Sequence, residues 1–336
     1  MRLNKKDLQA RARRGKFTVG IIGCGDIGLF FDYKKKMNGA LSHFKGFQES
    51  LDFEVVALAE HKKQARDRLV KELKIPVFDD HIKMLNVVCP DVIVVATPNE
   101  THESILKDLI TYKPRIVFCE KPLALDSLAT QAIIKEYDKQ GIGLMVNFSR
   151  RFTKNYQHVK EMLNGGKLGE IQSVTMYYAR GLLHNGAHML DLLLWFFGIP
   201  QEITVEDKCE GLRKDDQTIS VRFNFYGKFE ARLIGLPPSK ISMNDFDILG
   251  TRGRVRTTNN QSMEIFTVKD NPKYPGYLSY QLSQEAPLEV WMAIPNAVKN
   301  IAGWLRGKED LLSPGTNSKN IYNILDQVKE KTACPL

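Results

Sequence analysis

Long apolar runs are missing from this 336-residue chain. Stretches such as Val92 to Ala96 and Leu192 to Gly198 fall far short of the ~18 residues that a membrane span requires, so no bilayer-crossing helix is expected. Cysteine is scarce: Cys24, Cys89, Cys119, Cys209 and Cys334 are odd in number, scattered, and contain no C-x-x-C pair. That argues against a disulfide framework and a zinc site, and fits a reducing cytoplasm. No G-x-x-x-x-G-K-[ST] loop, no V-A-I-K, H-R-D or D-F-G set and no H-E-x-x-H are found, which removes P-loop nucleotidases, protein kinases and zincin-type proteases. Internal repeats and low-complexity tracts are also lacking.

What remains is ordinary for a globular chain of two domains, with 43% hydrophobic and 26% charged residues. The net charge of +9 is concentrated: residues 1–16 hold seven Lys or Arg against Asp7 alone. This arm has no apolar core segment and no serine, so neither a secretory nor a transit signal is expected. A solvated arm is the simplest reading, and an arm that attracts acidic ligands is the sharper one. Nucleic-acid binding would rest on these residues alone and is not expected.

From about residue 17 to 148, short β-branched runs alternate with helical patterns, as in βαβ units around a buried parallel sheet. Strands are expected at Phe17–Ile22, Phe53–Ala59, Ile75–Phe78, Asp91–Ala96, Arg115–Cys119 and Gly143–Phe148. Helices are expected at about 26–37, 61–73, 80–87, 100–112 and 124–140, the last with Asp126 and Gly141 at cap positions. Later, helices at about 153–164 and 186–197 precede several alternating runs from Ile171–Tyr178 to Met263–Val268, which read as a largely antiparallel sheet. Two closing helices are expected at about 287–305 and 317–331. The division is therefore a basic arm (1–16), a doubly wound parallel α/β domain (17–148) and a C-terminal α/β domain (149–336).

The strongest local motif follows the first strand: Gly23, Gly25 and Gly28 form G-x-G-x-x-G around Cys24, Asp26 and Ile27. The first glycine permits a tight turn, the second lets a pyrophosphate approach the backbone, and the third lets a helix pack on the strand. After a strand and at the head of a βαβ unit, this favours a dinucleotide over mere turn geometry. Glu60 ends the second strand, where an acid would bond the adenine ribose hydroxyls. Its distance from Gly28 is 32 residues, longer than the ~20 usually seen, so an enlarged first crossover around Phe31–Gly46 is required. Glu60 would repel a 2′-phosphate and favours NAD, while His61, Lys62 and Lys63 keep NADP open.

Three segments stand at the C-terminal ends of later strands, where open parallel sheets bind ligands. They are Thr97-Pro98-Asn99 ahead of His102, Glu120-Lys121-Pro122, and Asn147 through Arg150 and Arg151. A fourth lies on an apolar helix, where His184, His188, Asp191 and Trp195 share one face beside Asn185. Together these residues resemble the Gfo/Idh/MocA family of nicotinamide-dependent sugar and cyclitol oxidoreductases, strongly over 17–198 and loosely afterwards.

The resemblance implies an N-terminal Rossmann domain and a C-terminal domain whose open sheet forms homo-oligomer contacts. It implies Lys121 near the nicotinamide and the reacting hydroxyl, and His188 as proton donor or acceptor. Thr97, Pro98, Asn99 and His102 would border the cofactor and Glu120 its nicotinamide-side ribose. Asn147, Arg150, Arg151, His184 and Asn185 would line the substrate cleft. One departure stands out: the family often has an acid four residues before its histidine, where this chain has His184. A nucleotide-binding regulator that has lost turnover is therefore the rival reading.

The chemistry can also be argued directly. Oxidising a secondary alcohol releases a hydride and a proton, so a site needs a base beside the hydroxyl and a positive group beside the developing alkoxide. Lys121 suits the second role and His188 the first, since an unperturbed imidazole titrates at ~6.5. His184, His188 and Asp191 have the spacing of a metal site, but a further ligand is wanting and no metal is expected. The basic arm and the Arg150-Arg151 pair suggest a phosphorylated or nucleotide-linked sugar among the candidate substrates.

Overall fold

A computed structural model describes residues 15–213, 216–237, 241 and 243–333. The basic arm, apart from Gly15 and Lys16, lies outside the described residues. The chain divides into two compact units, one within Met1–Phe152 and Val290–Lys319, the other within Thr153–Glu289 and Asn320–Leu336.

The first unit is built on six parallel strands: β1 (Phe17–Ile22), β2 (Phe53–Ala59), β3 (Val77–Phe78), β4 (Val92–Val95), β5 (Ile116–Cys119) and β6 (Gly143–Val146). Their order is β3-β2-β1-β4-β5-β6, the doubly wound arrangement whose direction reverses between β1 and β4. β4 and β5 are buried at every residue, which explains their unbroken Val, Ile and Phe runs. The intervening helices include α2 (Lys63–Glu72), α3 (His81–Val87), α4 (His102–Tyr112) and α5 (Ser127–Gln140). At α5 the Asp126 carboxylate accepts from the Ala129 N–H at 2.8 Å and Gly141 closes the helix at φ 67°, as the cap residues predict.

The first crossover departs from expectation. In place of a helix at about 26–37 there is a single π turn, Asp26–Phe30, then irregular chain, then the short helix α1 (His43–Gln48). The buried Asp32 carboxylate causes this: it accepts from the N–H groups of Leu41 and Ser42 and from the Ser42 hydroxyl, pulling the segment into a closed loop. Ser42 in turn caps α1 by accepting from the Lys45 N–H.

A second difference concerns α8 (Ala293–Leu305), which the sequence reading placed with the C-terminal domain. Its Ile294, Ala297, Val298 and Ile301 share one buried cluster with Val19, Ile21, Phe44 and Phe118, so it belongs to the first unit. The exposed Asp52 and Arg306 side chains also join the start of β2 to the end of α8 at 2.6 Å.

The second unit carries α6 (Lys154–Asn164), α7 (Ala187–Phe197) and an eight-stranded sheet. Its strands are β7 (Ile171–Ala179), β8 (Glu202–Arg213), β9 (Asp216–Asn224), β10 (Glu230–Leu236), β11 (Asn244–Gly250), β12 (Gly253–Thr258), β13 (Ser262–Asp270) and β14 (Leu278–Pro287). The order is β14-β13-β12-β11-β7-β10-β9-β8, with every pairing antiparallel except β7 with β10. One helix, α9 (Thr316–Ala333), begins in the first unit and ends in the second. Among the described residues no helix is long and apolar enough to cross a membrane.

Candidate active site

At the end of β1 the three glycines meet different demands. Gly23 has φ +89°, and a Cβ there would lie 2.6 Å from the Ala96 carbonyl oxygen; at Gly28 it would lie 2.0 Å from the Gly23 carbonyl oxygen. Both are therefore fixed by the protein's own packing. Gly25 is not: its φ of −69° suits any residue, and a Cβ there would meet nothing within 4 Å. The bare backbone at Gly25 faces open space, beside the exposed Asp26 and Ile27, as a surface approached by a pyrophosphate would.

Glu60 immediately follows β2, almost fully buried, and its two carboxylate oxygens accept from the Cys24 N–H at 2.9 Å and the Lys62 N–H at 2.8 Å. The acid is thus tied to the glycine turn, and each oxygen keeps a second acceptor position for a ribose hydroxyl. Burial, with the Glu60 charge beside it, pushes the Cys24 thiol far above its usual range, so this cysteine is no nucleophile.

Beyond β4, Thr97 and Asn99 are partly buried and Pro98 is exposed. His102, expected to border a cofactor, is held by two backbone carbonyls. It is fully buried, its Nδ1 2.7 Å from the Pro122 carbonyl and its Nε2 2.9 Å from the Thr97 carbonyl, so its ring links the turns after β4 and β5.

Glu120 and Lys121 follow β5, with a cis bond between Lys121 and Pro122. Glu120 Oε1 lies 2.8 Å from His43 Nε2 and 2.6 Å from Asn147 Nδ2. Burial opposes ionisation of Glu120, but the hydrogen bonds from His43 and Asn147 and the Lys121 charge outweigh it and hold the carboxyl below its usual range. Asn147, expected to line the substrate cleft, is buried, with its amide N–H on Glu120. Arg150 is partly buried in the turn Ser149–Phe152, and Arg151 is only 6% exposed, so this pair is not a solvated face.

In the second unit, a π turn at Leu182–Gly186 carries the exposed His184 and partly buried Asn185, and α7 begins immediately after, with His188 partly buried and Asp191 buried. The turn is held from β9: Asp216 accepts from the Leu183 and His184 N–H groups, each at 2.8 Å. Sequence reasoning missed Asp216 and His43 because each acts on an element remote in the chain, and it missed Asp32 because that side chain lay within an expected helix. Among the described residues no cluster of three or more His, Cys, Asp or Glu side chains could hold a metal ion.

The geometry assembles the glycine turn, Glu60, Thr97 to Asn99, Glu120 and Lys121 at the C-terminal edge of one parallel sheet. Residues 17–148 match the family described as "Oxidoreductase family, NAD-binding Rossmann fold" (GFO_IDH_MocA). An inositol 2-dehydrogenase of Burkholderia cenocepacia is 29% identical over 195 residues, which are 54% of each chain; the match thus spans about half the length of that relative. Among solved structures, an oxidoreductase from Agrobacterium radiobacter in complex with NAD+, L-tartaric acid and magnesium has a TM-score of 0.76 at 14% identity, covering 95% of this chain and 96% of that one. The WlbA dehydrogenase from Bordetella pertussis, in complex with NADH and UDP-GlcNAcA, has a TM-score of 0.74 at 18% identity, covering 96% and 99%. At such identities these structures establish the fold alone, and it extends through both units. Its nucleotide-binding segment, residues 17–148, is thus similar to the Gfo/Idh/MocA oxidoreductases with an NAD-binding Rossmann fold.

Proposed function

We propose that the protein is an NAD-dependent oxidoreductase acting on a secondary hydroxyl or keto group of a sugar, sugar derivative or cyclitol. The observation that carries this is Gly25: neither backbone strain nor a protein neighbour requires glycine there, so the open space is left for a ligand. Glu60, a buried carboxylate between two N–H donors, favours ribose hydroxyls and repels a 2′-phosphate, which selects NAD over NADP.

When bound, nicotinamide supplies the hydride acceptor or donor. The chain's residues do the rest. Gly23 to Gly28 receive the pyrophosphate, Glu60 the adenine ribose, and the Thr97 to Asn99 turn borders the cofactor. The Lys121 ammonium steadies the oxygen that becomes negative as the C–H bond is broken or formed. His188 takes up the hydroxyl proton in the oxidative direction and returns it in the reductive one. His184 and Asn185, on the turn held by Asp216, serve as substrate contacts in this reading, and Arg150 and Arg151 provide positive charge for an anionic substituent.

The inositol and UDP-sugar names among the relatives support a polyol or sugar substrate, and the eight-stranded sheet is proposed to form homo-oligomer contacts. The test is to add neutral cyclitols, hexoses and nucleotide-linked sugars with NAD+ or NADH and follow nicotinamide absorbance. Turnover with NAD and at least tenfold weaker use of NADP, about 1.4 kcal/mol, is expected. NADH binding with no turnover on any class would favour the regulator reading, and a clear NADP preference would overturn the role given to Glu60.

A further inference from the structure

His43 stands apart from every residue assigned so far: it lies in the enlarged first crossover, is fully buried, and points a ring nitrogen at Glu120. Its ring also meets Phe118 of β5 edge-on, centroids 4.8 Å apart, which fixes its plane. Among the described residues its buried Nδ1 has no hydrogen-bond partner, and the polar contact of the ring is with the Glu120 carboxylate. The imidazole donates its Nε2 hydrogen there.

The chain reaches this arrangement stepwise. Asp32 gathers the backbone at Leu41 and Ser42, Ser42 caps α1, and α1 opens with His43. An insertion that looks like surface decoration in the sequence thus delivers one buried side chain to the residue before Lys121. We infer that His43 is a positioning residue of the Lys121 site, holding the Glu120 carboxylate aimed and ionised from below so that Lys121 keeps an adjacent negative charge. Among the described residues, the titratable groups acting on Glu120 are His43 on α1 and the adjacent Lys121, and Glu120 in turn raises the Cys119 thiol beside it. Asn147 shares the same oxygen as a neutral donor, so removing His43 leaves the carboxylate half held.

The inference rests on the oxidoreductase reading only for its kinetic consequence, so the deciding experiment does not need turnover. Infrared titration of the Glu120 carboxyl, assigned by difference against Glu120→Gln, would be made on the ligand-free full chain and on His43→Phe and His43→Gln. His43→Phe keeps the ring contact with Phe118 and loses the donor; His43→Gln keeps a donor. We expect the Glu120 carboxyl of His43→Phe to protonate about one pH unit higher than wild type, with His43→Gln close to wild type. In an active preparation kcat falls about tenfold while NADH affinity stays within threefold. An unchanged Glu120 titration in folded His43→Phe overturns the inference, as does equal disturbance in Phe and Gln variants. If His43→Phe does not fold, His43→Asn, whose amide falls short of the carboxylate, decides by the same titration. Absence of turnover in the wild type with a shifted titration would sink the enzyme reading and leave this one standing.

Discussion

Gly25 and Gly28 separate two demands that one motif makes. A methyl at 28 collides with the Gly23 carbonyl, whereas a side chain at 25 enters open space. Gly28→Ala is therefore expected to destabilise the fold by about 1–3 kcal/mol. Gly25→Val should melt near wild type and lose at least tenfold in NADH affinity, by fluorescence titration. Equal NADH affinity in Gly25→Val would mean that the space is not a ligand's. The three glycines and Glu60 are legible in the sequence because their roles depend on local backbone and on position at a strand end. His43 and Asp216 are not, since a lone histidine in a crossover and a lone aspartate on a strand acquire meaning only from partners 77 and about 32–33 residues away.

Elements are read as well as their periodicity is strong. β1 and β2 have the expected bounds, and α5 begins and ends at its signalled caps. Asp126→Ala removes the acceptor for the Ala129 N–H on an exposed helix end, so a loss of about 1 kcal/mol in chemical denaturation is expected, with cofactor affinity unchanged. A loss below the error of the measurement would show that water replaces the cap. Two elements defeat periodicity. The helix expected at about 26–37 contains Asp32, whose buried carboxylate gains more from Leu41, Ser42 and the Ser42 hydroxyl than a helix offers it. β14 forms the sheet edge with most of its residues exposed, so its sequence carries no apolar alternation to read, and it was not anticipated.

Over the whole molecule, the fold class follows from alternation of buried runs and helices in the first part and of antiparallel strands in the second. The assignment of α8 does not, because an amphipathic helix announces that it has an apolar face and not which sheet that face covers. Its burial with Val19 and Phe118 is a long-range fact that no local pattern carries. Function follows the same division: a nucleotide turn is local, while the residues proposed for redox chemistry lie far apart in sequence, at strand ends and on α7.

The most direct test of the account is steady-state kinetics of Lys121→Ala and His188→Ala, with NADH affinity measured on the same preparations. Each is expected to lower kcat by ~10²-fold or more while NADH binding stays within about threefold of wild type. Turnover close to wild type in both would contradict the proposed hydride-transfer site.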